Sequence, residues 1–301
     1  YCDEPSHWRS TGTLGEYLAH HGIPALHSVD TRALTRHLRN RGVMRAVLVS
    51  NRAGRSDDEL RELAGKAWTP NTADVVPAVA GDFRALGPED APHVVLIDLG
   101  VKEHIIESLL RREVRVTVVP YGTTAKAILA LGPDGVVTSP GPGDPVNAAA
   151  AVFTVRDLAR SGLPFFGICL GHQLLALAAG ARTSKLKFGH RGGNHPVKDL
   201  LSGQVHMTSQ NHGYQVDAES LPVDQGWQIW MVNVNDGTVE GLRHRSLPVM
   251  SVQYHPEGSP GPQDNQYLFD EFLALVKERW ERRRRDANLS LATQATAGGS
   301  E

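Results

Sequence analysis

Between residues 93 and 180 the chain alternates short apolar runs with segments in which apolar residues recur every three or four positions. The runs Val94–Leu99, Arg115–Val119, Gly135–Ser139 and Pro164–Ile168 read as buried strands. The segments Lys102–Arg112, Thr124–Leu131, Ala148–Ser161 and Leu170–Ala179 carry the helical period. Such alternation predicts an α/β fold built on a parallel sheet with helices on both faces. Ligands of such sheets gather at the carboxyl ends of the strands. On either side the pattern changes. Residues 1–68 lean towards helix, with periodic stretches Leu14–His21 and Thr31–Asn40 and a strand predicted at Ala46–Ser50. Residues 69–92 are rich in Pro, Ala, Gly and Asp, lack a period, and read as a linker. Shorter strands are expected over 182–254, and a helix from Asn265 to about Arg283 closes a domain spanning 93–283. The Ala/Thr/Ser/Gly-rich end, 284–301, reads as a disordered tail.

Composition narrows the class without naming it. With 301 residues, 41% of them hydrophobic, the chain can bury one large core or two ordinary ones. A formal net charge of -2 excludes nucleic-acid binding as a main role. No run reaches the roughly 18 apolar residues of a membrane span, and Tyr1–Pro5 has neither the basic start nor the apolar core of a secretory leader. Two cysteines far apart in sequence, Cys2 and Cys169, fit a reducing cytoplasm better than a disulfide framework.

The candidate chemistry lies at the ends of the predicted strands. In Phe165-Phe166-Gly167-Ile168-Cys169-Leu170-Gly171-His172-Gln173 a buried strand passes into a helix with almost no loop. Glycines flank the turn, as in the G-x-S-x-G nucleophile elbow with cysteine in place of serine. A helix N-terminus beneath the sulfur favours thiolate over thiol. A nucleophilic thiol needs a base and the base an orienting group. The strand Val249–Tyr254 runs into His255-Pro256-Glu257, where Pro256 stiffens a bracket able to present an imidazole and hold its tautomer. A third element, Ser139-Pro140-Gly141-Pro142-Gly143-Asp144-Pro145, is a rigid turn with bare N–H groups that suit an oxyanion hole or simply close a tight loop. No Gly-Lys-Ser/Thr follows, so it is not a phosphate-binding loop.

Together, Gly-Ile-Cys-Leu-Gly-His-Gln, Pro-Gly-Pro-Gly and His-Pro-Glu resemble the class I (triad) glutamine amidotransferases. The segments Asp30-Thr31-Arg32, Lys187–Val197, Gln210–Tyr214 and Glu257–Pro262 are similar to the glutaminase subunits of carbamoyl-phosphate synthetases. The resemblance implies a flavodoxin-like amidotransferase domain preceded by part of a smaller N-terminal α/β domain. It also implies that roughly the first hundred residues of the family are missing here, including a serine that helps to hold glutamine. By the same resemblance Cys169 is the nucleophile, His255 the base and Glu257 its orienting partner, and the N–H groups of Gly143 and Leu170 hold the oxyanion. Glutamine then touches Gly141, Gly143, Leu170, Gln173, Asn211, Gly213 and Tyr214. The implied reaction releases glutamate and ammonia through a γ-glutamyl thioester. Ammonia passes to a large subunit that uses ATP and magnesium to make carbamoyl phosphate from bicarbonate, for arginine or pyrimidine synthesis. This chain itself needs no cofactor. Pro140 stands where the family usually has Asn.

Other signals are set aside on the residues. His190, His195, His206 and His212 lie among glycines without helical spacing or a nearby second cysteine, so no metal site is expected. The run Arg282–Arg285 reads as a solvated helix end rather than a nucleic-acid patch. Two alternatives stay open: a glutaminase serving another synthase, and a non-catalytic module that docks on a synthetase.

Overall fold

A computed structural model describes residues 1–8, 10–49, 54–67, 73–259 and 261–297. Residues 69–72 of the expected linker, Ser50 of the expected strand, Pro260 and residues 298–301 lie outside the described residues. The chain divides into two units, Tyr1–Thr69 and Pro70–Glu301.

The first unit holds helices α1 (Leu14–His20), α2 (Thr31–Arg41) and α3 (Asp57–Lys66). Each begins on a side chain that accepts from an otherwise unpaired N–H group. Thr13 with Glu16, and Ser56 with Glu59, form capping boxes, and Asp30 accepts from Ala33 N at 2.7 Å. The S-x-x-E signature at Ser56 was available in the sequence, which singled out no helix there. The strand expected at Ala46–Ser50 is absent over its described part, 46–49. A strand needs a ladder partner, and among the described residues of this unit there is none.

In the second unit chain order runs β1 (Arg84–Leu86), β2 (His93–Asp98), α4 (Glu103–Leu110), β3 (Arg115–Pro120), α5 (Ala125–Ala130), β4 (Gly135–Thr138), α6 (Ala149–Arg160), β5 (Phe165–Ile168) and α7 (Leu170–Ala179). It continues through β6 (Thr183–Asp199), β7 (Val205–Val216), β8 (Trp227–Asn233), β9 (Val239–His244), β10 (Val249–Val252) and α8 (Tyr267–Ala297). One sheet takes the order β1-β3-β2-β4-β5-β10-β9-β8-β6-β7. Strands β3, β2, β4, β5 and β10 are mutually parallel, and the remaining pairings are antiparallel. The parallel strands β2, β4, β5 and β10 are buried along their whole length, as strands covered on both faces must be. Their period of two divides the core. Val95, Ile97, Val136 and Phe165 pack with α5, α6 and α7 on one face. Val94, Leu96, Val137 and Phe166 pack with α4 and α8 on the other.

Three expectations change. The stretch read as linker contains β1, which pairs antiparallel with β3 over three residues. Three residues are too few to show a period. The strands after residue 182 are not all short: β6 has 17 residues and β7 has 12. Gly189, Gly192, Gly193 and Pro196 break the apolar alternation of β6, and the ladder absorbs them as register shifts after Lys185 and after Gly192. Helix α8 extends to Ala297, past the end expected near Arg283 and into the stretch read as a disordered tail. Pairs four residues apart, Arg282–Glu278 and Arg285–Glu281, support that extension.

Candidate active site

Cys169 stands between β5 and α7 with φ 53° and ψ -102°, a conformation that costs a non-glycine residue of order 1–3 kcal/mol. Packing enforces it. A Cβ on Gly167 would lie 2.8 Å from Gly171 O, and one on Gly171 would lie 2.4 Å from Thr138 O. Both glycines are therefore required by close backbone approach beneath the turn. The Cys169 N–H donates to Val252 O at 2.9 Å, and its carbonyl accepts from Gln173 N at 3.1 Å. The sulfur thus sits at the head of a helix whose first N–H groups favour a negative charge.

The base arrives from the neighbouring strand. β10 lies parallel to β5 with Val252 opposite Ile168, so both chains leave the sheet at the same end, into Cys169 and into Gln253-Tyr254-His255. His255 is buried and its Nδ1 donates to Glu257 Oε1 at 2.7 Å. That bond leaves Nε2 for the thiol. Nε2 makes no hydrogen bond of good geometry, yet the charge of Cys169 acts on the ring. The contact is a long one of the kind that tightens on substrate binding. Burial works against the imidazolium, but the Cys169 thiolate and Glu257 outweigh it and push His255 up to about 10. Burial also raises Glu257, and its bond and charge contact with His255, aided by Lys102, bring it below the ordinary carboxylate value. Lys102 Nζ lies 3.5 Å from Glu257 Oε1 and 3.3 Å from His255 Nδ1. Because Nδ1 already donates to Glu257, the lysine acts on the carboxylate as a charge.

This arrangement fixes a pH dependence. The folded value of His255 lies above the unperturbed 6.5, so its contribution to stability is complete below pH 6.5 and is lost as pH rises through about 10. In urea titrations the stability gap between wild type and His255→Asn should narrow steadily over that window. A constant gap would show that His255 is not held as an imidazolium.

Around the thiol the remaining sequence-predicted residues come from three segments. Gly141 closes on the strand ends: a Cβ there would lie 2.3 Å from Leu99 O and 2.7 Å from Leu170 Cδ2. Gly143 has φ 98°. Ser139 pins the loop by accepting from Leu99 N at 2.9 Å and donating to Pro140 O at 2.8 Å. Tyr214 on β7 is tied to the same loop, for burial and its hydrogen bond to Asp144 raise its phenol to about 12. Gln173 Nε2 donates to Tyr214 O and to Gln253 Oε1, both at 3.0 Å. It is therefore a buried bridge between α7 and β7, not a solvated residue. Asn211 is exposed and Gly213 half-buried on β7, with Asn211 opposite Arg191 of β6.

Residues 95–275 match the family Glutamine amidotransferase class-I, and residues 1–48 match Carbamoyl-phosphate synthase small chain, CPSase domain. A carbamoyl phosphate synthase small chain of Symbiobacterium thermophilum is 51% identical over 280 residues, covering 91% of this chain and 76% of that one. The chain belongs to the carbamoyl-phosphate synthase small-chain family. Another small chain, from Methanopyrus kandleri, is 49% identical over 278 residues, covering 92% of this chain and 76% of that one. The crystal structure of a GMP synthase glutaminase-like protein from Thermoplasma acidophilum superposes with a TM-score of 0.56 at 22% identity. It covers 64% of this chain and 98% of that one, and this likeness concerns the fold.

Within this small-chain fold the structure adds residues the sequence did not single out. Lys102 follows β2 at the carboxyl edge shared by Gly141, Cys169 and His255; its place after a parallel strand was the available signal. Arg191, whose charge is felt together with that of Cys169, donates through Nη1 to His190 O and His212 O. His172 is fully buried against Ser251 Oγ at 2.9 Å. Burial lowers His172 to about 3 and His212 to about 4, so both rings are neutral. Among the described residues both cysteines are free, and no helix is long and apolar enough to cross a membrane. The histidines read as metal-free do not all scatter: His190 and His212 meet Glu240 of β9.

Proposed function

We propose that this chain hydrolyses the side-chain amide of glutamine, with Cys169, His255 and Glu257 as its triad. The observation that carries the reading is the strained elbow, which holds a cysteine at the head of α7 beside a buried His–Glu pair. The Cys169 thiolate attacks the carboxamide carbon. The N–H groups of Gly143 and Leu170 take the negative charge that develops on oxygen. As the C–N bond breaks, the His255 imidazolium gives its proton to the leaving nitrogen, and ammonia departs from a γ-glutamyl thioester. Neutral His255 then takes a proton from water as the water attacks the thioester. The C–S bond breaks, glutamate leaves, and thiolate and imidazolium are restored. Gly141, Gln173, Asn211, Gly213 and Tyr214 line the place where glutamine is held. In this role Gln173 acts through the Tyr214 carbonyl that it fixes.

Family membership extends the proposal to a partner. The ammonia passes to a carbamoyl-phosphate synthase large subunit, which supplies the ATP and magnesium chemistry in the cytoplasm, while this chain works without a cofactor of its own. Two readings compete: service to a different synthase, and a docking role without catalysis. A coupled assay of glutamate release, with and without a large subunit, separates them. Turnover by the chain that rises on adding the large subunit supports the proposal. No turnover in either condition, or turnover indifferent to the large subunit, overturns it.

A further inference from the structure

Away from the thiol, acceptor atoms converge on a buried carboxylate with no charged donor among them. His190 lies on β6, His212 stands opposite it on β7, and Glu240 comes from β9. All three are buried, and one donor atom from each lies within 4.8 Å of the others. We propose that His190, His212 and Glu240 form a binding site for a divalent transition metal of the zinc class.

The outer nitrogens of both rings are already committed. His190 Nε2 donates to Asp236 Oδ2 at 2.8 Å, and His212 Nδ1 donates to Tyr214 O at 2.7 Å. These bonds fix the tautomers that leave lone pairs on His190 Nδ1 and His212 Nε2, and both atoms are buried without a hydrogen-bond partner. A carboxylate or carbonyl behind each imidazole is how metal-binding histidines are oriented. Glu240 is oriented in the same way: Oε1 accepts from Asn233 Nδ2 and Oε2 from Gln210 Nε2, both at 3.0 Å. His190 Nδ1 faces Glu240 Oε1 at 3.4 Å. Metal bonds of about 2.0–2.1 Å in a tetrahedron set donors about 3.3 Å apart, so this pair already has the required spacing. Two lone-pair atoms at that distance repel unless a cation lies between them.

The donor set of two imidazoles and one carboxylate suits zinc with a water as fourth ligand. A fully buried carboxylate whose nearest donors are neutral amides also calls for a countercharge. Asp236, 42% exposed at its side chain, places the cluster one residue below the surface. Because Tyr214 O accepts from both His212 and Gln173, an ion here would brace the strand that carries Asn211 and Gly213. The competing occupant is a proton on His190 Nδ1, which would make the cluster a hydrogen-bonded network.

The test uses the full chain with Cys2→Ser and Cys169→Ser, so that neither thiol captures the ion. Zn²⁺ binding is followed by calorimetry, Co²⁺ binding by its visible absorption, and metal stabilisation by the thermal midpoint. One equivalent should bind, and His190→Gln and Glu240→Gln should each abolish the absorption band and the thermal shift. Asp236→Asn, at the exposed second-layer position, should weaken binding by about 10–100-fold and stands in if either core variant fails to fold. Affinity unchanged across these variants would place the ion elsewhere. Absence of binding, with a proton on His190 Nδ1 by nitrogen NMR, would establish the network instead. Either result overturns the metal site.

Discussion

Cys169→Ser should remove glutamine hydrolysis almost completely while leaving the fold in place. Losing the nucleophile of an acyl-transfer triad costs on the order of 10⁶ in rate, because the remaining groups stabilise a transition state that can no longer form. Serine keeps the Cβ and a similar volume in the same backbone conformation, φ 53°, so stability should change by less than about 1 kcal/mol. Cys169→Gly, which relieves the strained conformation, should be equally inactive and unfold at a urea concentration no lower than the serine variant. An electrophilic glutamine analogue should label Cys169 and spare Cys2. Cys2 is exposed, and its thiol donates to Glu4 O at 3.0 Å with no base beside it. Measured turnover in Cys169→Ser close to wild type, or mass mapping of the label to Cys2, would remove Cys169 from the mechanism.

His255→Asn should fall nearly as far, and Glu257→Gln should fall roughly a hundredfold less. The structure explains the order. His255 alone carries the proton that stabilises the thiolate and leaves with ammonia. Glu257 acts only through the 2.7 Å bond that fixes the ring, and Pro256 and the backbone bond His255 N to Ser209 O at 2.9 Å hold the bracket without it. Glutamine at Glu257 can still accept from Nδ1, so the tautomer survives while the charge is lost. Single-turnover trapping of the γ-glutamyl thioester should find none in His255→Asn and slow accumulation in Glu257→Gln. Equal rates in the two variants would mean that Glu257 does more than orient the ring. Wild-type rates in His255→Asn would move the base elsewhere.

Much of the amidotransferase fold was legible because its signals are local. Periods of two and of three to four, broken by Gly and Pro, place β2 to β5 and α4 to α7 within one or two residues of their observed ends. The elbow at Cys169 was legible for the same reason: Gly167 and Gly171 are needed by atoms within one turn of the cysteine and at the end of β4. Where the sequence reading failed, the signal was absent or diluted. β1 has three residues, β6 hides its alternation behind glycines, and a strand at 46–50 needed a ladder that no local pattern could promise.

What the sequence by itself determined is the list of reactive types and the strand ends on which they sit: a cysteine in an elbow, a histidine bracketed by proline and glutamate, and a glycine–proline turn. Only the tertiary structure decided which of them meet. The parallel pairing of β10 with β5 sets Val252 opposite Ile168 and so brings His255 to Cys169 from 86 positions away in the chain. The same sheet brings Lys102 to Glu257, ties Gln173 to Tyr214, and sets Glu240 against His190 and His212. These are contacts between strands and helices far apart in sequence. Residue spacing along the chain says nothing about them, because the order in which strands enter the sheet is set by the packing of both its faces.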